Sequence, residues 1–351
     1  MNTFNKKVLL GMSGGVDSTA AAVVLQQKGY EVIGVTFVQT SFEEMETAIG
    51  DARKAARVLG IEHYVLDLRK EFNEEIIQYF HSEYDRGRTP NPCVKCNQVV
   101  KYKKFLEEAD RLGAWYISSG QYAKIVSENG RYLIKKAENK YKDQSYYLYN
   151  LKEKDLERIL MPLGDIKDKE EARQIVKDID LDFSQKKDSQ EICFISDNDH
   201  VGFLEQYINP QKKLGNFVDT KGRILGKHKG IHKYTVGQRK GLGIALGSPR
   251  YVVKIDAIDN SVVLGVEKDL YAETCTLEEY NIVYDDYKIE EKPLMCKIRY
   301  SAREAEASIK RDGQRLVVNF TEPVKSLAPG QSMVFYDGDV LVGGGIINID
   351  V

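Results

Sequence analysis

The chain has 351 residues, 42% of them hydrophobic and 30% charged, enough to bury a sizeable core and long enough for two or three domains. Its formal net charge of -2 neither indicates nor excludes a nucleic-acid partner, because binding follows local patches and not the sum. Five cysteines are an odd and sparse set, which argues against a secreted disulfide framework. The opening MNTFNKK carries no secretory h-region and no apolar run approaches a membrane span, so a soluble cytoplasmic protein is expected, with its cysteines as thiols.

In chain order, Val8, Leu9 and Leu10 read as a strand, residues 19–28 as a helix stopped by Gly29, and residues 31–38 as a second strand. A helix over 43–59 closes at Gly60, a strand follows at 61–68, and a helix at about 71–86. After a Pro-rich loop the pattern predicts a helix from about Gln98 to Leu112, ended by Gly113, and a strand at 115–118. This is a doubly wound α/β sheet, and such sheets bind ligands at the carboxyl ends of their strands, here the loops after Leu10, Val38 and Ser118. Alternation over 122–137 around Asn129-Gly130 signals a hairpin, and two short helical segments lie at 154–160 and 168–178. β-type patterns dominate from Gly215. The expected domains are 1–204 (catalytic), 205–272 (small, central) and 273–351 (β-barrel-like), the last with strands at 296–300, 315–320 and 332–336. Between Asn216 and Lys240, seven Lys/Arg (Lys221, Arg223, Lys227, Lys229, Lys233, Arg239, Lys240) face the single acid Asp219, a candidate phosphate-binding face or an ordinary solvated loop.

The first strand runs into Gly11-Met12-Ser13-Gly14-Gly15-Val16-Asp17-Ser18 and then a helix. Adjacent glycines let successive N–H groups turn inward, the serines add hydroxyl donors, and the helix N-terminus adds its positive dipole end, which together suit phosphate. The loop lacks the Gly-Lys-Ser/Thr ending of a P-loop and the spacing of a dinucleotide fingerprint. Ser-Gly-Gly-Val-Asp-Ser resembles the signature of the N-type ATP pyrophosphatases, which adenylate a carbonyl oxygen so that a nucleophile can displace it. Cys96, expected just before the helix at Gln98 and beside Lys95, reads as a thiol whose thiolate is favoured. Cys193 lies in SQEICFI, while Cys275 and Cys296, in β-patterned segments, read as inert core.

Taken in order, SGGVDS, GRTPNPCVKCN, KDQSYYL, SQEICFI, GKHKGIHKYTVGQRKGLGI and KIRYSAREAEA resemble the tRNA-uridine 2-sulfurtransferases, or tRNA 2-thiouridylases, over about residues 7–346. That resemblance implies ATP at residues 11–18 with its Mg²⁺, and Gly120 and the backbone of Phe37 near the adenosine. It implies Asn91, Pro92 and Cys93 at the target base, and Lys142, Asp143, Gln144, Arg299 and Tyr300 on tRNA. Cys96 becomes the nucleophile and Cys193 the persulfide carrier, charged by a cysteine desulfurase or relay protein, with no residue assigned to a metal. A Cys96–Cys193 disulfide would follow sulfur release, with either free hydrosulfide or the persulfide itself attacking the base. The pattern departs from the family at Ser119-Gly120-Gln121, where Thr-Gly-His is usual, at Phe37 for a frequent Met, and after Val38, where Trp and Cys are missing.

Three alternatives stay open on the residues. Cys93, Cys96 and Cys193 could hold a [4Fe-4S] cluster, or less readily a zinc ion, which usually takes four ligands. An adenylating synthetase acting on a small metabolite would need neither the thiols nor a basic central segment. A non-catalytic tRNA-binding relic would not need an intact phosphate loop. Pyrophosphate release that requires tRNA points to the sulfurtransferase, release driven by a small acid to the synthetase, and no release to the binding relic.

Overall fold

The computed structural model describes residues 6–177, 192–195, 199–206 and 214–349. Residues 1–5, 178 and 189–191, which the sequence reading touched, lie outside them.

A parallel sheet in the order β3-β2-β1-β4-β7 forms the N-terminal layer, from β1 (Lys7–Gly11), β2 (Glu31–Val38), β3 (Glu62–Asp67), β4 (Tyr116–Ser119) and β7 (Ile159–Leu160). β1 is apolar on both faces, as a central parallel strand covered by helices must be, with Val8, Leu9 and Leu10 fully buried. α1 (Val16–Gln27) packs with Ala20, Ala21 and Ala22 buried, small side chains that let the helix sit close to its neighbours. α2 (Phe42–Leu59) and the helical run α3 (Arg69–Phe72) to α4 (Gln78–Asp85) complete the expected pattern, the last two joined through a π turn at Asn73–Ile77. Strand order reverses at β1 and β4, which opens the crevice at their carboxyl ends.

The expected helix start at Gln98 is wrong by six residues. The helix begins at Pro92, as α5 (Pro92–Cys96), widens through a π turn at Asn97–Lys101 and continues as α6 (Tyr102–Arg111). Asn91 is its N-cap, the side-chain oxygen accepting from Val94 N–H at 3.3 Å, and Pro92 takes the first position, where its missing N–H costs nothing. The segment expected as helix at 154–160 is instead a 3₁₀ turn (Glu153–Arg158) running into β7. α7 (Lys169–Ile175) is capped by Asp168, and α8 (His200–Glu205) by Asp199.

A four-stranded sheet comes next in the order β10-β11-β8-β9, from β8 (Gly215–Asp219), β9 (Ile224–His228), β10 (Tyr251–Asp256) and β11 (Ser261–Gly265). The C-terminal part is a closed antiparallel barrel of β12 (Tyr271–Ile282), β15 (Arg315–Lys325), β14 (Ala305–Asp312), β13 (Leu294–Lys297), β16 (Ser332–Asp337) and β17 (Val340–Asn348), closed by pairing of β17 with β12. Cys275 and Cys296 are buried in its wall, as expected of inert core. The hairpin of β5 (Lys124–Glu128) and β6 (Arg131–Lys135) forms around Asn129-Gly130, and β6 joins β17 through Val340 and Lys135. One apolar core therefore runs from Leu9, Phe105 and Ile117 through Tyr146 and Tyr149 to Val334 and Phe335. Tyr146 anchors this seam by donating to the Ser332 carbonyl at 2.7 Å. The α/β and barrel parts thus share a continuous interior, which fixes how the barrel meets the strand ends of the parallel sheet.

Candidate active site

The phosphate loop is built where β1 ends. Gly14 takes a φ of +67°, and a Cβ there would stand 2.5 Å from Asp51 Cβ, so both conformation and the closeness of α2 require glycine. The Ser18 hydroxyl accepts from Ser13 N–H at 3.3 Å and donates to the Gly15 carbonyl at 3.1 Å, tying the loop to the first turn of α1. Met12 is buried and its N–H donates to the Val35 carbonyl at 2.8 Å, and Val16 is buried at the helix start. Gly120 backs onto the loop, where a Cβ would lie 2.8 Å from Ser18 N. Phe37 covers Gly11 and meets Phe105 edge-on, with ring centroids 5.0 Å apart. Residues 11–18, Phe37 and Gly120 thus meet at the carboxyl end of β1, at the start of a 12-residue helix whose positive dipole end suits polyphosphate. Gln121 accepts from the hydroxyls of Tyr102 (2.6 Å) and Ser119 (3.1 Å) and so ties β4 to α6.

Lys142, Asp143 and Gln144 do not form one exposed surface. Lys142 reaches the phosphate loop, with Nζ 3.6 Å from Asp17, whose other oxygen accepts from the Tyr122 hydroxyl at 2.7 Å. Asp143 is buried, accepting from Ala137 N–H (2.9 Å) and the Ser145 hydroxyl (2.8 Å), and burial still raises its pKa. Gln144 accepts from Tyr122 N–H at 2.9 Å. Internal bonds therefore hold the last two side chains.

The loop before α5 is clamped by the barrel. Thr89 N–H donates to the Pro329 carbonyl at 2.8 Å, and the Gln331 amide donates to the Thr89 carbonyl at 2.8 Å. Arg88 lies 2.9 Å from Glu83 and 2.5 Å from Glu278, joining α4 to β12. The half-buried Asn91 and Cys93 and the buried Pro92 thereby sit at a braced helix start. Tyr300 stacks obliquely on Tyr147, centroids 4.9 Å apart, while Arg299 beside it is exposed.

The helix start at Pro92 changes the chemistry of Cys96. It lies a full turn inside the helix and is buried, and that burial pushes its thiol up to about 12, opposite to the favoured thiolate expected from sequence. Lys95 turns away to Glu279, 3.2 Å off. The cation that serves the thiols is Lys101, which sequence reading missed: its charge acts on Cys93, Cys96 and Cys193, and burial lowers its own pKa. The π turn supports it, because the Lys101 backbone N–H also favours the Cys96 thiolate. Burial raises the Cys93 thiol too.

Cys193 is exposed, yet desolvation and then the neighbouring Cys93 and Cys96 push its thiol up to about 12. The open surface therefore belongs to a protein-walled crevice. Gln39, just past β2, joins the two thiols: its Nε2 donates to Cys96 Sγ at 3.6 Å, and its Oε1 accepts from Cys193 Sγ at 3.9 Å. In the resting protein, alkylation of Cys96 should accelerate about tenfold per pH unit from 7 to 10 without a plateau, because its pKa lies above that window. Lys101→Met should slow it further while Lys101 is protonated, most at the low end of this window and less as pH rises through the lowered lysine pKa. Peptide-level mass spectrometry after iodoacetamide pulses reads both.

No group of three or more His, Cys, Asp or Glu side chains among the described residues is placed to hold a metal ion. As arranged, Cys93, Cys96 and Cys193 do not fit the ligand set of a [4Fe-4S] cluster, with Gln39 between two of the sulfurs. No helix is long and apolar enough to cross a membrane among the described residues.

In the basic segment, Arg223 is paired with Asp219 at 2.6 Å and Lys233 with Glu205 at 2.7 Å. Lys221, Lys227 and Lys229 stand exposed on and beside β9. Replacing these three by Gln should weaken tRNA binding and flatten its log–log salt dependence by about one for each phosphate that the variant no longer neutralises. An unchanged slope in a filter-binding titration would return the segment to an ordinary solvated surface.

The α/β layer and the two β parts that follow it are matched in that order by three family models, the first two named for tRNA-modifying transferases. They are the tRNA methyl transferase HUP domain at residues 6–197, the tRNA methyl transferase PRC-barrel domain at 201–266, and the aminomethyltransferase beta-barrel domain at 272–347. The tRNA-specific 2-thiouridylase MnmA of Clostridium acetobutylicum is 47% identical, with 98% of this chain and 99% of that protein covered. The enzyme of the same name from Acetivibrio thermocellus is 49% identical, with 97% and 99% covered. The chain belongs to the tRNA-specific 2-thiouridylase family, a family of sulfurtransferases. A U34-tRNA thiolase NcsA from Methanococcus maripaludis with its [4Fe-4S] cluster is similar at only 17% identity and a TM-score of 0.36, covering 53% of this chain and 60% of that one, too distant for its cluster to be transferred.

Proposed function

We propose that the protein thiolates C2 of the wobble uridine in a tRNA anticodon, using ATP to activate the base and a cysteine persulfide to supply sulfur. The observation that carries this reading is the meeting of two thiols on one carboxamide, Gln39, at the end of a strand adjacent to the phosphate loop. The target base must leave its stack to bring its C2 edge to both.

The residue 11–18 cradle, the start of α1 and Lys142 would orient the triphosphate while uridine O2 attacks the α-phosphorus. The new O–P bond forms as the bond to pyrophosphate breaks. Magnesium, when bound, supplies charge neutralisation, and Asp17 is the carboxylate in the loop able to hold it. A sulfur donor such as a cysteine desulfurase or relay protein charges the accessible Cys193. The Cys96 thiolate then attacks the Cys193 sulfur, forming the Cys96–Cys193 disulfide and expelling the outer sulfur as hydrosulfide. The sulfane sulfur gains the two electrons that the thiols lose. Hydrosulfide adds at C2, AMP leaves with the former O2, and a dithiol reductant restores the two thiols. Arg299 and Tyr300 would contact the tRNA at the mouth of this site.

Nucleoside analysis of tRNA from cells lacking the protein tests the substrate, with loss of 2-thiouridine derivatives expected. Pyrophosphate release from ATP should require tRNA. Release driven by a small carboxylic acid instead would support a synthetase and overturn the reading.

A further inference from the structure

We propose that Gln39 is the positioning residue of the sulfur relay, holding Cys96 and Cys193 by opposite ends of one carboxamide. The inference rests on the persulfide reading above and deepens it.

A carboxamide has one donating and one accepting end, so the two sulfurs are treated differently. The N–H of Gln39 points to Cys96, where a donor favours the thiolate that must form before attack. The carbonyl of Gln39 faces Cys193, where an acceptor takes the S–H of the resting thiol. This ordering matches the chemistry, in which Cys96 is to be an anion and Cys193 is to carry a protonated sulfane sulfur until attacked. Burial raises both thiols, so each neighbouring group able to favour the Cys96 anion has leverage.

Backbone fixes the carboxamide from behind. Gln39 directly follows Val38, fully buried at the end of β2, and Leu68 N–H donates to the Val38 carbonyl at 2.8 Å. The half-buried side chain therefore leaves a rigid strand end and not a free loop. A disulfide needs the sulfurs at about 2.05 Å, so the carboxamide must swing aside as the Cys96–Cys193 bond forms. Its removal from between them accompanies attack and leaves hydrosulfide free to meet the base.

Three substitutions separate the parts of this role. Gln39→Glu keeps the shape but replaces the donor with a negative charge, Gln39→Leu removes both polar ends, and Gln39→Asn keeps both on a shorter arm. The first readout is the pH–rate profile of Cys96 alkylation. Gln39→Glu should shift it upward by about one pH unit, a roughly tenfold slower rate at fixed pH, with Gln39→Leu shifted less and Gln39→Asn least. The second readout is appearance of the Cys96–Cys193 disulfide in persulfide-charged protein mixed with ATP and tRNA. Gln39→Glu and Gln39→Leu should slow it about tenfold or more, with Gln39→Asn partly restored and tRNA-dependent pyrophosphate release kept as the measure of intact folding. Wild-type profiles and rates in all three variants would overturn Gln39's role and leave the relay standing. If wild-type protein makes 2-thiouridine without the disulfide, the relay itself fails, and Gln39's part in it falls as well.

Discussion

Cys96→Ser is expected to lower 2-thiouridine formation by about 10⁴-fold or more, the scale on which removal of a nucleophile acts when the remaining groups work with it as a unit. Cys96 is buried at the end of the first turn of its helix, beside the Gln39 amide and the Lys101 charge, and a serine hydroxyl there cannot take over attack on a sulfur–sulfur bond. Cys193 lies on the accessible side of the site, and in the proposed relay it receives sulfur before Cys96 acts. The variant should therefore accumulate persulfide on Cys193, visible as a mass increase of its peptide on incubation with a persulfide donor. Turnover near that of the wild type, or failure of Cys193 to be charged, would contradict the assigned order of events.

Ser18→Ala is expected to slow tRNA-dependent pyrophosphate release by about 10²–10³-fold, comparable to loss of one preorganised donor in other active sites. The hydroxyl has two tasks here, accepting from Ser13 N–H and donating to the Gly15 carbonyl, and alanine does neither. The cost falls on activation alone. Binding of tRNA, measured by filter retention without ATP, should stay within about twofold, because Ser18 is buried behind the loop and presents nothing to the anticodon. Equal losses in tRNA binding and in pyrophosphate release would mean that the loop also builds the RNA site.

Much of the N-terminal architecture is legible in the sequence because its signals are local. The second strand runs from Glu31 to Val38 as its pattern predicts, and glycines at positive φ end the helices before them, Gly29, Gly60 and Gly113 among them. The phosphate loop is equally readable, since glycines, serines and a following helix lie within one short stretch. The start of the cysteine helix carried a signal too: Asn91-Pro92 is an N-cap followed by a first-turn proline, and reading it as loop displaced Cys96 from inside a helix to its edge. The chemical consequence of those six residues is large, because they set whether the thiol is activated by a helix end or suppressed by burial.

Other features depend on tertiary placement. Nothing near Gln39 or Lys101 marks either as a partner of the thiols, and they meet Cys193 across 154 positions in one case. Pairing of β6 with β17, and the barrel's hold on Thr89 through Gln331, likewise join segments more than two hundred residues apart. The split of the Lys142-Asp143-Gln144 string is of the same kind. Adjacent in sequence, one side chain reaches the phosphate loop while the other two close a turn.

The most direct test of the relay is a single turnover by anaerobically purified, persulfide-charged protein, scoring 2-thiouridine, the Cys96–Cys193 disulfide and iron on the same samples, with Cys93→Asp alongside wild type. The relay predicts one disulfide per 2-thiouridine in iron-free protein, and measurable thiolation by Cys93→Asp, since a short polar side chain can still border the flipped base. A yield that follows iron content and vanishes in Cys93→Asp, with no disulfide formed, would contradict it and place sulfur on a cluster held by the three thiols.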